Sequence, residues 1–368
     1  MIQAGSTIGI LGGGQLGRMM ALAARHMGFR IAVLEPKENS SAGQVADHEI
    51  IAAYDDPDGL RQLNEVSDVI TFEFENVDAK AAAPLIKAGK LPQGTDVLKA
   101  SQHRLEEKST VQKAGVKVAA YAAVHEKADL AEALKTTGFP AVLKTCRGGY
   151  DGKGQAVVHT LEEAEQAVDE LTGELVLEAL VHFDQEISVI IVRNEAGETI
   201  CFPPAENIHQ NGILHQSIVP ARTPAAVLDK AEAAALKIAD HLGLVGTLAI
   251  EMFVQGDDVF VNEMAPRPHN SGHYTMNGTS ISQFEAHIQA VAGWPLRQPE
   301  LYTPTVMVNI LGEHVSAAKR EVPQLKEAAL HLYDKGDPRA GRKMGHVNVN
   351  AATTAEALAR IEETRIWT

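Results

Sequence analysis

At 368 residues the chain is long enough to bury two or three separate cores. Hydrophobic residues make up 45% and charged residues 22%, an ordinary soluble globular balance, while 33 basic against 48 acidic side chains give a net charge of −15. That charge repels phosphate backbones and excludes nucleic acid as a main partner, so any anionic ligand must be held by a local basic cluster.

Two cysteines, Cys146 and Cys201, form neither a disulfide framework nor a CxxC motif, which points to a reducing compartment. Cys146 lies between Lys144 and Arg147 and reads as a small buried hydrophobe in preference to a low-pKa nucleophile. The opening MIQAGSTIGILGGG has no basic region followed by an apolar run and cleavage site, and no later run approaches spanning length. A cytoplasmic location without a membrane partner is expected.

From Thr7 the pattern is strand, glycine turn, helix, strand: TIGIL, GGGQLG, RMMALAARHMG, FRIAVLEP. The turn carries G-x-G-x-x-G at Gly12, Gly14 and Gly17, and Glu35 closes the second strand. This is the dinucleotide fingerprint in its expected context. A glycine turn that merely packs helix on sheet is equally compatible, so an NAD-dependent oxidoreductase stays open at this point. Alternation continues through DVITFEFENV, a strand ending in Glu73, Glu75 and Asn76. KASQHRLEEKSTVQKAG then reads as one amphipathic helix with Ser101 as its N-cap.

Further on, FPAVLKT, a glycine-dense loop, QAVVHT, a helix from Leu161 to Leu171 and ELVLEALV form a compact strand-rich unit. Strands through EISVIIVR and TICFPPAEN, a helix from Ala225 to Leu242, and the strands GTLAIEMFV and DVFVNEM follow. After Trp294-Pro295 a short unit contains VMVNIL, LHLYDKGDPRAGRKMGHVNV and a last helix. The reading is an α/β protein with a Rossmann-like unit over residues 1–100, a second unit over 101–296 whose strand-rich lid spans about 115–181, and a C-terminal unit over 297–368.

Four stretches carry chemistry. GGYDGKGQ, with Gly148, Gly149, Gly152 and Gly154 around Lys153, is not a Walker A loop, because no Ser or Thr follows the lysine and a strand comes next. Between two strands it reads as a hairpin lid whose amides and lysine fold over phosphates, with Lys144 as a second cation. In EMFVQGDDVFVNE, two alternating strands flank Gly256-Asp257-Asp258, and pairing about Asp257 sets Glu251 opposite Glu263. Facing carboxylates repel, and a Mg²⁺ ion shared with phosphate oxygens removes that penalty. NEMAPRPHNSGH follows at once. His269 and His273 are spaced as in a zinc motif, but Asn270 replaces the required Glu, and Pro266, Pro268 and Gly272 oppose a helix. Arg267, His269 and Asn270 suit a small planar anion instead. DKGDPRAGRKMGH collects Lys335, Arg339, Arg342, Lys343 and His346, a basic nest for a phosphorylated substrate.

Glycine lid, strand-end lysine and paired carboxylates together resemble the ATP-grasp superfamily. GGYDGKGQ, NEMAPRPHNSGHYTMNGTSISQFE and YDKGDPRAGRKMGH narrow the resemblance to its ATP-dependent carboxyaminoimidazole ribonucleotide synthases, and it extends over essentially the whole chain. The resemblance implies ATP and Mg²⁺ as cofactors, with aminoimidazole ribonucleotide and bicarbonate as substrates. The expected fold is a Rossmann-like preATP-grasp domain, an ATP-grasp lid and core, and a small C-terminal domain; a homodimer is expected. Carried over by position, Arg104, Lys144 and Gly149, Tyr150, Asp151, Gly152, Lys153, Gly154 and Gln155 contact ATP phosphates. Glu178, Ala179, Leu180 and Val181 form the hinge that reads adenine, Glu186 binds ribose, and His209 and Asn262 complete the pocket. Glu251 and Glu263 hold the metal. Arg267, His269 and Asn270 orient bicarbonate, and Tyr150 and Asp151 orient or deprotonate the amine. Lys335, Arg342 and Lys343 grip the ribonucleotide phosphate, with Gln15 and Glu73 on its ring and sugar. Ala265 stands where many superfamily members have a third metal ligand, so two are expected. A formate-dependent glycinamide ribonucleotide transformylase shares most of these features, and HNSGH, without an Asp after the His, favours the bicarbonate enzyme. A silent nucleotide-binding module is disfavoured by the retention of Lys144, Glu251 and Glu263.

Overall fold

Parallel strands β1 (Thr7–Leu11), β2 (Arg30–Leu34), β3 (His48–Ile50) and β4 (Val69–Phe72) form the first sheet, in the order β3-β2-β1-β4. The near-continuous apolar runs of β1, β2 and β4 follow from burial on both faces, while the edge strand β3, His-Glu-Ile, is more exposed. The computed structural model describes residues 1–149 and 153–367. The helix Pro57–Val66 starts as its sequence dictates: Asp56 accepts the Asp58 N–H, and Pro57 takes the first turn.

The single helix expected from Ser101 is two helices, Asp96–Ser101 and Arg104–Lys113. Ser101 ends the first and its hydroxyl donates back to the Leu98 carbonyl. The break falls at Gln102 and His103: the Gln102 amide donates to the Glu75 and Val77 carbonyls, and His103 is extended, with φ −141° and ψ 114°. A tertiary contact thus overrides a pattern that is helical on its own.

A second sheet is antiparallel and carries its own core. Strands β5 (Tyr121–Val124), β6 (Ala141–Thr145), β7 (Gln155–Val158) and β8 (Leu175–Ala179) run in the order β5-β8-β6-β7, covered by helices Leu130–Thr137 and Leu161–Glu170. Pairing of Lys144 with Gln155 makes the glycine loop the tip of a hairpin.

The third sheet has nine strands among the described residues: β9 (Gln185–Arg193), β10 (Thr199–Cys201), β11 (Ala205–Gln210), β12 (Ile213–Val219), β13 (Gly246–Gln255), β14 (Asp258–Ala265), β15 (Thr305–Leu311), β16 (Ala328–Leu332) and β17 (Lys343–Asn350). Their order is β14-β13-β9-β11-β12-β15-β17-β16, with β10 beside β9. Helix Ala225–His241 packs Val227, Ala231, Ala235 and Ile238 on Ile187, Val189, Ile191 and Leu248. The segment after Trp294 adds its strands directly to this sheet, since Ser217 on β12 pairs with Met307 on β15.

The first sheet is stitched to the third by helix Gln283–Val291. Phe284, Ile288 and Ala292 pack against Leu16, Met19 and Met20 of helix Gln15–His26. Beside them His287, fully buried, accepts the Thr247 N–H on Nδ1 (3.1 Å), which leaves its proton on Nε2 to donate to the Thr71 hydroxyl (2.8 Å). Thr71 in turn donates to Gln93 Oε1 (2.6 Å).

Candidate active site

The two carboxylates do face each other, but by another register than symmetric pairing about Asp257. The turn is a two-residue loop, with Gln255 paired to Asp258 and Gly256 at φ +56°. That register alone would place Glu251 opposite Asn262. A one-residue bulge between Met252 and Glu251 shifts it, so that Glu251 pairs with Glu263 and Asn262 is the extra residue. Burial and the neighbouring Glu263 push the Glu251 carboxyl up to about 7. Such a pair favours a proton or a metal ion.

A cavity of about 340 Å³ between the second and third sheets is lined by Glu251, Asn262 and Glu263, by Lys144, Lys153 and Gln155, and by the chain from Glu178 to Val181. Glu186 and His209 sit on its wall, joined by a 2.7 Å hydrogen bond. Burial lowers the His209 pKa, but the hydrogen bond and charge of Glu186 outweigh it and raise the imidazole above its ordinary value. Phe183 and Phe253 stack at 4.7 Å along the same wall. Gly149 and Gly154 come together at the root of the loop, where a Cβ on Gly149 would stand 3.0 Å from the Lys153 carbonyl. Tyr150, Asp151 and Gly152 lie outside the described residues.

Lys144 reaches Glu178 at 3.0 Å, and the fully buried Lys108 reaches the same Oε2 at 3.1 Å. Burial pushes the Glu178 carboxyl up, but the two ammonium groups hold it below its usual range. Two cations share one anion, and Lys144 brings positive charge to the wall of the first cavity.

A second cavity, about 430 Å³, opens toward the first sheet and is lined by Gln15, Glu73, Glu75, Gln102, Gly149 and Arg267. Arg104, Glu263, His269, Asn270 and Lys343 line both cavities. Arg267 is steered by Glu75, whose Oε2 accepts its Nε at 2.6 Å. The Ser271 N–H donates to His269 Nδ1, so the neutral ring carries its proton on Nε2, 3.9 Å from Glu251 Oε1. Burial, Arg267 and Lys343 keep this ring well below its usual pKa, a donor and not a base. Asn270 exchanges amide hydrogen bonds with Asn309 at 2.9 and 2.6 Å. Lys335 and Arg342 sit behind Lys343: the Lys335 ammonium donates to the Lys343 carbonyl, and Arg342 donates to the Lys335 carbonyl.

Three family models divide the sequence: ribonucleotide synthetase preATP-grasp domain over residues 5–102, ATP-grasp domain over 109–284, and phosphoribosylaminoimidazole carboxylase C-terminal domain over 305–360. A curated N5-carboxyaminoimidazole ribonucleotide synthase of Bacillus subtilis (strain 168) is 51% identical over 349 residues, covering 94% of this chain and 92% of the relative. The crystal structure of an N5-carboxyaminoimidazole ribonucleotide synthetase in complex with ADP superposes with a TM-score of 0.96 at 50% identity, over 100% of this chain and 98% of that one. An Aspergillus clavatus N5-carboxyaminoimidazole synthase in complex with ADP and 5-aminoimidazole ribonucleotide gives 0.91 at 31% identity, over 98% of each. The chain belongs to the N5-carboxyaminoimidazole ribonucleotide synthase family.

In this family member the glycine fingerprint is already filled from within. Glu73 accepts the N–H groups of Gly14 and Gly17 (2.6 Å for the second), and Glu35 accepts the Gly13 N–H at 2.9 Å. A dinucleotide pyrophosphate would need those same amides, so the oxidoreductase reading fails. Glu73 lines the second cavity, and its carboxylate is held by the Gly14 and Gly17 N–H groups at the start of helix Gln15–His26. Cys146 is buried, and burial pushes its thiol up to about 11, as for an unreactive cysteine. Sequence reasoning missed Lys108, Glu75 and Asn309. A charged residue on the apolar stripe of a helix is the one signal that could have found Lys108. No helix among the described residues is long and apolar enough to cross a membrane.

Proposed function

We propose that this enzyme uses ATP to join bicarbonate to the exocyclic amine of 5-aminoimidazole ribonucleotide, giving N5-carboxyaminoimidazole ribonucleotide, ADP and phosphate. The observation that carries the reading is the shared wall. A nucleotide-sized cavity and an acceptor cavity meet at Arg104, Glu263, His269 and Asn270, where a small anion would lie between a phosphoryl donor and an amine.

Lys144, Lys153 and Arg104 bind the triphosphate, the chain from Glu178 to Val181 holds the base between the two halves, and Glu186 holds the ribose. Glu251 and Glu263 fit a Mg²⁺ ion, because burial and the charge of Glu263 raise the cost of ionising Glu251; bound there, the ion would neutralise charge on the phosphates. Arg267, fixed by Glu75, and His269, donating through Nε2, orient bicarbonate so that its oxygen takes the γ-phosphoryl group. The amine nitrogen then forms its bond to the carbonyl carbon as the carbon–oxygen bond to phosphate breaks, and the amine gives up a proton. Tyr150 and Asp151 are assigned to orient that amine. The glycine loop keeps water from the mixed anhydride, and Lys335, Arg342 and Lys343 hold the ribonucleotide phosphate.

ADP release is measured with Mg-ATP and aminoimidazole ribonucleotide, with and without bicarbonate, beside glycinamide ribonucleotide plus formate. Bicarbonate-dependent turnover in the first pair is expected. Turnover only in the second would transfer the chain to the transformylase reaction. Association as a homodimer, expected from the family, is tested by light scattering on the eluting protein.

A further inference from the structure

One cluster at the edge of the second cavity, which its cysteine lines, is assigned no role in the proposed chemistry. His103 directly precedes helix Arg104–Lys113, Cys146 follows β6 at the root of the glycine loop, and Glu174 directly precedes β8. A ligand atom from each lies within 4.8 Å of the other two, the sole such three-residue group among the described residues. The segments are already tied together. Cys146 donates its N–H to the Glu174 carbonyl (2.8 Å) and accepts the Arg104 N–H on its own carbonyl (3.0 Å). His103 Nε2 lies 2.8 Å from Glu174 Oε2.

His103 is 7% exposed and Cys146 2%, and Nδ1 of His103 finds no hydrogen-bond partner among the described residues. Nε2, the ring atom beside Glu174, is the one placed to take a metal, its proton moving to Nδ1. Imidazole, thiol and carboxylate form a borderline-soft set that selects zinc-like ions over Mg²⁺. Donor atoms around tetrahedral zinc are roughly 3.3–3.8 Å apart, so side-chain movements of about an ångström close the set. Glu174, the exposed member, leaves a side open for entry and for a water in the fourth position.

We propose that His103, Cys146 and Glu174 bind a thiophilic divalent cation of the zinc class, and that its occupancy restrains the root of the glycine loop and slows turnover. Binding breaks the Cys146 S–H bond, forms a sulfur–metal bond and releases the proton to solvent, with no change of oxidation state. The restraint reaches the site by a short route: His103 is followed by Arg104, which lines both cavities and stands 3.6 Å from Glu263.

Zn²⁺ binding to the full-length protein is measured by competition with a chromophoric chelator in excess Mg²⁺. One equivalent is expected for the wild type and for Cys201→Ser. Affinity should fall about 100-fold in Cys146→Ser and at least about 10-fold in His103→Gln, the size of effect seen when metal sites lose supporting groups. Glu251→Gln should keep the equivalent, which separates this site from the paired carboxylates. Wild-type binding that is absent, or that Cys146→Ser and His103→Gln leave intact, overturns the site. In a second arm, Zn²⁺ should inhibit ADP release by the wild type and chelator should restore it; binding without inhibition overturns the restraint. The binding arm does not depend on which reaction the enzyme catalyses, so its failure is distinct from failure of the proposed function.

Discussion

Replacing His287 with Gln tests how the first domain is locked to the central sheet. In the native state Nδ1 of His287 accepts the Thr247 N–H at 3.1 Å and lies 3.2 Å from the Thr247 hydroxyl, so a second ring proton would turn a donor against the backbone N–H. Burial accordingly holds this imidazole down at about 3, against an ordinary 6.5. A histidine whose folded pKa lies below its unfolded one contributes stability that is complete above the unfolded pKa and is lost as pH falls toward the folded one. Each pH unit between those limits removes about 1.4 kcal/mol, so about 2 kcal/mol is lost by pH 5 and about 5 kcal/mol by pH 3. Denaturant unfolding of wild type and His287→Gln between pH 7.5 and 5 reads this directly. Gln costs stability at every pH, because it keeps only one of the two hydrogen bonds, but it does not titrate. The gap between the two curves should therefore narrow by about 2 kcal/mol over that range. A gap that stays constant would mean that His287 is not held neutral by Thr247, and the directional chain from Thr247 to Gln93 would be wrong.

Glu263→Ala should abolish Mg-ATP turnover while leaving the fold intact, checked by ADP release alongside circular dichroism. Arg342→Ala should raise the KM for the ribonucleotide by about 10-fold or more, as loss of a charge-assisted hydrogen bond implies; a change confined to the KM for ATP would overturn the assignment of Arg342 to the ribonucleotide phosphate. Burial and the nearby Arg342 hold the Lys335 ammonium at about 8. It is charged below that pH and neutral above it, so kcat/KM for the ribonucleotide should fall as pH rises through 8, and Lys335→Arg should move that limb upward.

The parts of the site legible in the sequence are those whose partners lie close together in the chain. Gly148 and Gly149 beside β6 mark a turn at the cavity edge, and the run from Glu263 to Asn270 brings Glu263, His269 and Asn270 to the wall shared by both cavities within eight consecutive residues. What stayed hidden depends on long closures. Glu73 sits 59 residues from Gly14, so nothing local indicates that the glycine turn has an internal occupant. Glu75 lies 192 residues from the arginine it holds. The hairpin shows a subtler limit: counting about Asp257 selects the right glutamate pair, but a tight turn and a compensating bulge at Asn262 produce it, and bulges leave no pattern in hydrophobic alternation.

Five strand-to-strand steps separate Glu251 on β13 from Lys343 on β17, a path of roughly 24 Å at about 4.8 Å per step in a flat sheet. Both nevertheless line the first cavity, so the sheet curls like a cupped hand, with Glu251 and Glu263 at the fingertips and Lys343 at the thumb. The middle strands β11 and β12 form the palm. Curvature set there fixes the gap between donor and acceptor, so packing changes that flatten the palm disturb ATP and ribonucleotide together, however far they lie from either.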